Sequence, residues 1–268
     1  MKLKEWAEKA RTKVDALDAD LIAMKALGFD DRVYLIMYSE DEFDMSAADE
    51  MLEKRASGIP LAYITGTREF YGREFNVNQN VLIPRPETEQ MIISILGIVD
   101  VEQLNHITIL DVGTGSGCIP ITLRLELAKD GRETEISGCD VSLPALETAR
   151  NNAVKLGADV SFFESDLLTA VNSLPDIITA NLPYVDMKWD WTSPELKYEP
   201  ALALYADDGG LKLIKKLIDE IIQKKQDDKK RFLLLESDTS QFDDIIRYAG
   251  ERGFELISKD GFILAFRY

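Results

Sequence analysis

Residues 181–184 read Asn-Leu-Pro-Tyr and directly follow the apolar run "DIITA". One reading is a strand-ending turn, because proline fixes its own φ and biases the residue before it toward extended backbone. The other reading is chemical. Asn181 brings an amide side chain and Tyr184 a flat ring on a rigid turn, the parts of a site that grips a planar NH2 group.

A second stretch with chemistry in it is "LDVGTGSGC" at 110–118. Gly113, Thr114, Gly115, Ser116 and Gly117 lie between an apolar strand and a helix, the crevice position at which doubly wound sheets bind ligands. Cys118 stands where a dinucleotide fingerprint needs its third glycine. Asp111 adds a strand-end carboxylate, unfavourable beside a pyrophosphate and comfortable beside a sulfonium cation. The loop points to S-adenosylmethionine rather than NAD, with a merely structural tight turn as the alternative. Asp140 ends the next strand, where a carboxylate accepts both ribose hydroxyls or else caps the following helix. Asp166 ends the third; with Leu167 it brackets an adenine ring or forms a plain turn.

The pattern around these groups predicts what holds them. From residue 107 strands alternate with helices: "ITILDV", "EISGCDV", "VSFFES", "DIITA" and "RFLLLE", then a closing pair "FELISKD" and "FILAFRY", with helices near 117–128, 143–156, 209–225 and 241–252. Such alternation argues for a mostly parallel sheet covered on both faces. Ahead of it, Trp6, Ala10, Val14 and Leu17, then Leu21, Met24 and Leu27, fall at helical spacing, and cap candidates stand at Asp18 or Asp20, Asp30 or Asp31, and Ser46. The expected organisation is a helical bundle over 1–62, a β-hairpin connector over 63–84 rich in aromatic and β-branched residues, and an α/β domain over 85–268.

Composition narrows the function classes. The 31 basic and 48 acidic residues give a net charge of −17, which argues against a nucleic-acid partner and for a basic protein one. No apolar stretch has the length of a membrane span, and the amphipathic start "MKLKEWAEKARTKVDALDADL" is not signal-like, so a cytoplasmic location is expected. Cys118 and Cys139 read as reduced core thiols, and His106, the only histidine, cannot assemble a triad or a zinc site. No metal is expected.

With these residues in view, "LDVGTGSG", "CDVS…AL…ARNNA", "SDLL" and "NLPY" resemble the seven-stranded methyltransferases that modify amide or exocyclic NH2 groups. "GIPLAYITGTREFYGREFNVNQNVLIPRPETE" resembles the HemK-type glutamine N5-methyltransferases, which modify the Gly-Gly-Gln loop of peptide chain release factors, and "YEPALALYADDGGL" and "LLLESDTSQ" extend the match along nearly the whole chain. The resemblance implies a doubly wound, seven-stranded Rossmann-like methyltransferase sheet of the α/β class, with an antiparallel C-terminal hairpin and a small N-terminal helical bundle. It further implies that Gly113 to Gly117 hold the methionine moiety of S-adenosylmethionine, that Asp140 holds the ribose, and that Leu167 lies beside the adenine. Asn181, Leu182, Pro183 and Tyr184 would clamp the substrate, and Arg85, Pro86, Glu87 and Thr88 would close over the cofactor side and shape the glutamine entrance.

One departure is informative: the family pattern is Asn-Pro-Pro-Tyr, and Leu182 stands at the first proline. The clamp that the resemblance implies accepts the target NH2 with the Asn181 side-chain oxygen and the residue 182 backbone carbonyl; leucine keeps that carbonyl, and Pro183 still biases it toward extended backbone. Asn-Leu-Pro-Tyr is also similar to what rRNA adenine dimethyltransferases carry. An N6-adenine methyltransferase acting on rRNA or DNA, a ribosomal-protein glutamine methyltransferase and a noncatalytic cofactor-binding scaffold are therefore the alternatives. The expectation is a monomer that acts on release factors without binding nucleic acid or membrane.

Overall fold

The computed structural model describes residues 1–104, 106–189 and 195–268. They form two compact units, Met1–Thr67 with residues 195–198, and the remainder from Arg68 to Tyr268.

The first unit contains α1 (Leu3–Ala10), α2 (Ala16–Leu27), α3 (Val33–Met37), α4 (Ser46–Ala56) and α5 (Leu61–Thr65). Leu3, Trp6 and Ala10 on α1, Ala19, Ile22 and Ala23 on α2, and Ala48 and Leu52 on α4 share one core. The buried Trp6 indole N–H donates to the Asp49 carboxylate at 2.8 Å, which satisfies the polar end of a ring otherwise removed from water. Capping differs from the sequence reading at two helices. α2 begins at Ala16, so Asp18 and Asp20 lie inside it, and Asp20 is buried against Arg11 and Arg32. At α4 the amide of Ser46 is taken by Asp44 Oδ1 at 3.0 Å rather than capped by Ser46 itself. At α3 Asp31 plays the expected part, accepting the amide of Val33 at 2.8 Å. A short carboxylate two residues ahead of a free amide makes this bond wherever the turn allows.

Over residues 63–84, where a hairpin connector is expected, the end of α5 comes first and the hairpin is only β1 (Thr67–Phe70) with β2 (Arg73–Asn76). Tyr63, Ile64 and Thr65 favour strand, but Pro60 ahead of the first turn and Gly66 in the left-handed region behind the last frame a helix. Residues 77–83 carry no regular element.

The second unit continues with a 3-10 turn at Pro86–Thr88, α6 (Glu89–Val101), β3 (His106–Val112), α7 (Cys118–Lys129), β4 (Glu133–Asp140), α8 (Leu143–Leu156), β5 (Ser161–Glu164) and β6 (Ile177–Ala180). Then come α9 (Ala201–Leu204), α10 (Lys212–Lys224), β7 (Phe232–Glu236), α11 (Phe242–Gly250), β8 (Glu255–Asp260) and β9 (Ile263–Arg267). The seven strands lie in the order β5-β4-β3-β6-β7-β9-β8. β5 through β7 are parallel and β9 runs antiparallel to both neighbours. Two cores cover the two faces, one built on Ile92, Ile95, Ile107, Ile121 and Leu234, the other on Leu110, Ile178, Leu217, Leu235 and Phe266. After β3 the chain builds outward through β4 and β5, then crosses back to place β6 on the other side of β3. That reversal opens a crevice at the carboxyl ends of the strands, where open α/β sheets bind ligands.

Candidate active site

A cavity of about 340 Å³ occupies this crevice, at the lower end of the range for small-molecule sites. The loop after β3 gives it Gly113, Thr114, Gly115 and Ser116; the ends of β4 and β5 give it Asp140, Asp166 and Leu167; the turn after β6 gives it Asn181, Leu182 and Pro183; and the segment before α6 gives it Arg85 and Thr88. Leu202 and Ala203 of α9 and Leu213 of α10 add apolar wall. Twelve of the expected site residues, from five separate stretches of chain, thus meet on one wall.

The loop is tied to the neighbouring strand by backbone and by carboxylate. The amides of Gly113 and Thr114 both donate to the Cys139 carbonyl at 2.9 Å. Asp140 accepts from the amide of Gly115 through Oδ2 at 3.0 Å and from that of Ser142 through Oδ1 at 2.9 Å. Burial raises the Asp140 pKa above the usual carboxylate range, against the pull of those amides. Both readings of Asp140 therefore hold something: it braces the turn into α8, whose N-cap hydroxyl is that of Ser142, and it also stands on the cavity wall. Each oxygen retains a lone pair for a further donor.

Leu167 adopts φ 49° although it is neither glycine nor asparagine, a conformation that surrounding bonds must enforce. Its carbonyl accepts the Ser165 hydroxyl at 2.7 Å, and the next amide, of Leu168, donates to Glu220 at 2.9 Å. Asp166 is paired with Lys216 at 2.7 Å and is more than half exposed.

At the turn after β6, the Asn181 Nδ2 donates to the Thr88 hydroxyl at 3.2 Å. With its NH2 so engaged, the amide leaves Oδ1 as the acceptor open to a ligand. Leu182 is buried, and its Cδ2 reaches to 3.0 Å of where a side chain on Gly113 would begin. Leu182 thus packs onto the glycine loop and also lines the cavity. The carbonyl of Tyr184 accepts from Gln241 Nε2 at 2.8 Å.

Five expected site residues are not on the cavity wall. Asp111 is fully buried behind the loop, accepting the Thr179 hydroxyl at 2.7 Å. Burial pushes its pKa up to about 7, with the Thr179 and Thr114 hydroxyls opposing and the Asp140 charge adding. Gly117 opens α7 and faces Ile121, Ala149 and Phe162. Pro86 and Glu87 lie in the 3-10 turn between Arg85 and Thr88, both of which do reach the wall. The Tyr184 ring packs against the core instead of walling the cavity, with its hydroxyl 3.5 Å from Glu236 Oε1.

Several supporting residues have no catalytic signature in the sequence. Asn152 of α8, fully buried, gives one hydrogen of its amide to the Ser116 carbonyl at 2.9 Å and the other to that of Asn76 at 3.0 Å, and takes the Asn76 amide at 2.7 Å. Glu199 accepts the amide of Ile83 at 3.1 Å and pairs with Arg85. Gln241 also reaches the Gly209 carbonyl at 2.7 Å. "ARNNA", "YEP" and "TSQ" carry the signal, which the sequence shows only as resemblance. The two cysteines are buried and unbridged, and burial pushes both thiols up to about 12. Among the described residues no group of His, Cys, Asp and Glu has the geometry of a metal site, and no helix is long and apolar enough to cross a membrane.

Comparison with known proteins bears on the fold and the family. Residues 5–66 match the model of the PrmC N-terminal domain and residues 95–194 that of the methyltransferase small domain. Among solved structures, the hMettl16 catalytic domain in complex with MAT2A 3′UTR hairpin 6 superposes with a TM-score of 0.53 at 16% identity, over 82% of this chain and 81% of that one, a likeness of fold. Two curated relatives bear the name release factor glutamine methyltransferase. That of Bacillus subtilis is 34% identical over 81% of this chain and 78% of its own. That of Koribacter versatilis is 40% identical over 80% of this chain and 76% of its own. On this identity, over about four fifths of its length, the chain belongs to the release factor glutamine methyltransferase family.

Proposed function

We propose that this protein transfers a methyl group from S-adenosylmethionine to the side-chain amide nitrogen of the glutamine in the Gly-Gly-Gln motif of release factors. The observation that carries the reading is the Asn181–Thr88 hydrogen bond, which turns the Asn181 amide so that an acceptor, not a donor, is left for a substrate NH2.

The cavity suits S-adenosylmethionine. Its wall combines a partly satisfied carboxylate, Asp140, with apolar surface from Leu167, Leu182 and Ala203 and a loop with no side chain at Gly113 and Gly115. We assign Asp140 to the ribose hydroxyls, Leu167 to the adenine face, and the Gly113–Ser116 backbone to the methionine part. When bound, the cofactor supplies an electrophilic methyl group on a sulfonium.

The protein's own part is orientation and electrostatics. A glutamine amide nitrogen is a poor nucleophile because its lone pair is delocalised into the carbonyl. Asn181 Oδ1 and the Leu182 carbonyl accept its two N–H bonds, which places the nitrogen and stabilises the positive charge it gains during transfer. Arg85 and Thr88 border the entrance, and Arg85 is fixed there by Glu199. Closing the cavity around the reacting atoms excludes water that would compete for both acceptors.

We further assign the helical unit to gripping the protein substrate, and we place the reaction in the cytoplasm, carried out by a monomer. The test is incubation with labelled cofactor and, separately, a release factor, the same factor with its loop Gln changed to Glu, a ribosomal protein preparation and rRNA. Label on the first alone is expected. Label on rRNA adenine with the release factor ignored would overturn the assignment.

A further inference from the structure

Behind the Asn181–Thr88 pair, and off the cavity wall, lies a carboxylate to which the proposed reaction gives no part. Glu236 closes β7, is 2% exposed, and sits next to the sheet's switch point. Its Oε1 is 3.5 Å from the Tyr184 hydroxyl, while Oε2 is buried without a hydrogen-bond partner among the described residues. A buried carboxylate with an open oxygen is costly unless a nearby donor can serve it. The Thr88 hydroxyl and the Asn181 amide, hydrogen-bonded to each other at 3.2 Å, are with Tyr184 the polar groups whose donors hold its pKa down against burial.

We infer that Glu236 is a positioning residue, setting the polarity of the chain Glu236–Thr88–Asn181 so that Asn181 presents its oxygen to the substrate amide. The inference rests on the function proposed above and deepens it. An ionised carboxylate can only accept, so the hydroxyl hydrogens of Thr88 and Tyr184 turn toward Glu236. The oxygen lone pairs of Thr88 then face Asn181, and only the Nδ2 side of that amide can meet them, as observed at 3.2 Å. Once Glu236 is protonated, the Thr88 hydrogen is released and can be given to Asn181 Oδ1 instead. The amide then offers N–H to a substrate that itself offers N–H, and the clamp fails.

The electrostatic setting makes this arrangement titratable in the neutral range. Burial pushes the Glu236 pKa up to about 7, Glu87 adds to the rise, and the Thr88, Asn181 and Tyr184 side chains oppose it. The Glu236 charge also acts on Tyr184, together with Arg85 on the segment before α6 and Asp238 beyond β7, and on Cys118 at the start of α7, together with Asp111 behind the glycine loop. Since the folded carboxyl is protonated below about 7, turnover should fall as pH falls through that value.

The experiment compares wild type with Glu236→Gln and Glu236→Asp on an intact release factor between pH 6 and 9, reading kcat, KM and, by calorimetry, cofactor affinity. For Glu236→Gln, kcat at pH 8 is expected to fall roughly tenfold to a hundredfold, the range for groups that orient a catalytic partner. Its KM and cofactor affinity should stay within a fewfold, and the acid limb near pH 7 should vanish. Glu236→Asp should restore part of kcat and the limb. An acid limb that persists in Glu236→Gln belongs to another group, Asp111 foremost, and overturns the inference, as does an unchanged kcat. If the Gln variant does not fold, Thr88→Val removes the relay hydroxyl and is read by the same loss of kcat and limb. Failure of the wild type to methylate the release factor at any pH would count against the proposed function itself.

Discussion

At the scale of single residues, the site separates groups that touch a ligand from groups that hold those in place. Asn181→Ala removes an acceptor whose partner gains positive charge in the transition state. A lowering of methyl transfer by about a hundred- to a thousandfold is expected, with cofactor affinity within about tenfold. Single-turnover kinetics with calorimetry checks both, and near-normal turnover would show the turn has been misread. Asp111 gives a different prediction, about stability. Its pKa is raised by burial to about 7, so the folded state prefers the protonated form. The penalty for ionising it starts above the ordinary carboxylate range, grows with pH, and is complete above about 7. Asp111→Asn, which does not titrate, should therefore be more stable than wild type at pH 8 by up to a few kcal/mol of unfolding free energy, with the gap narrowing toward pH 5. A gap independent of pH would remove burial as the cause. Sequence alone placed Asp111 beside the cofactor because strand-end acids at glycine loops face ligands or lie under the loop equally well in one dimension. Only the side-chain alternation of β3 against its neighbours decides it.

At the scale of elements, the strands after residue 106 were legible because β-branched runs bounded by Asp, Gly and Pro have one period and clear ends. α6 was not. "EQMIISILGIVDV" contains isoleucine, valine and a glycine, all poor helix formers, and forms a helix because Met91, Ile92, Ile95 and Val99 bury one face in a core. Tertiary burial overrides propensity there. Equally hidden is why "YADDGGL" carries two adjacent glycines. Gly210 has φ 83°, and a Cβ on it would lie 1.9 Å from the Tyr184 carbonyl oxygen. Gly209 has φ 66° and open space around it. Gly209→Ala should cost about 1–2 kcal/mol for the left-handed backbone alone. Gly210→Ala must also displace the carbonyl that Gln241 holds, so a larger loss of thermal stability is expected, together with a fall in kcat that exceeds any loss of cofactor affinity. Equal melting temperatures for the two variants would mean the close approach is not what that glycine serves.

For the whole molecule, the division of labour follows from where the cavity's walls come from. Among the described residues every one on the wall lies between Asn80 and Leu213 within the second unit, which carries its own two cores. The first unit has a separate core around Trp6 and Ile22, and residues 195–198 belong with it, tied by Arg55 to Glu195 and by the Tyr198 hydroxyl to the Ser57 carbonyl at 2.9 Å. An element contributing nothing to the cavity can still contribute binding energy from substrate surface remote from the reacting glutamine, and such energy appears in kcat/KM only when the substrate is large enough to reach it. A chain beginning at Gly66 should therefore fold, shown by a cooperative thermal transition, and bind cofactor within a fewfold of the full protein. On an intact release factor its kcat/KM should fall by roughly a hundredfold, equivalent to just under 3 kcal/mol of lost docking. On a short peptide carrying Gly-Gly-Gln, the full and shortened chains should be equally slow. If instead the shortened chain lost turnover on peptide and protein alike while still binding cofactor, the helical unit would be needed to complete the site, and substrate grip would be the wrong account of it.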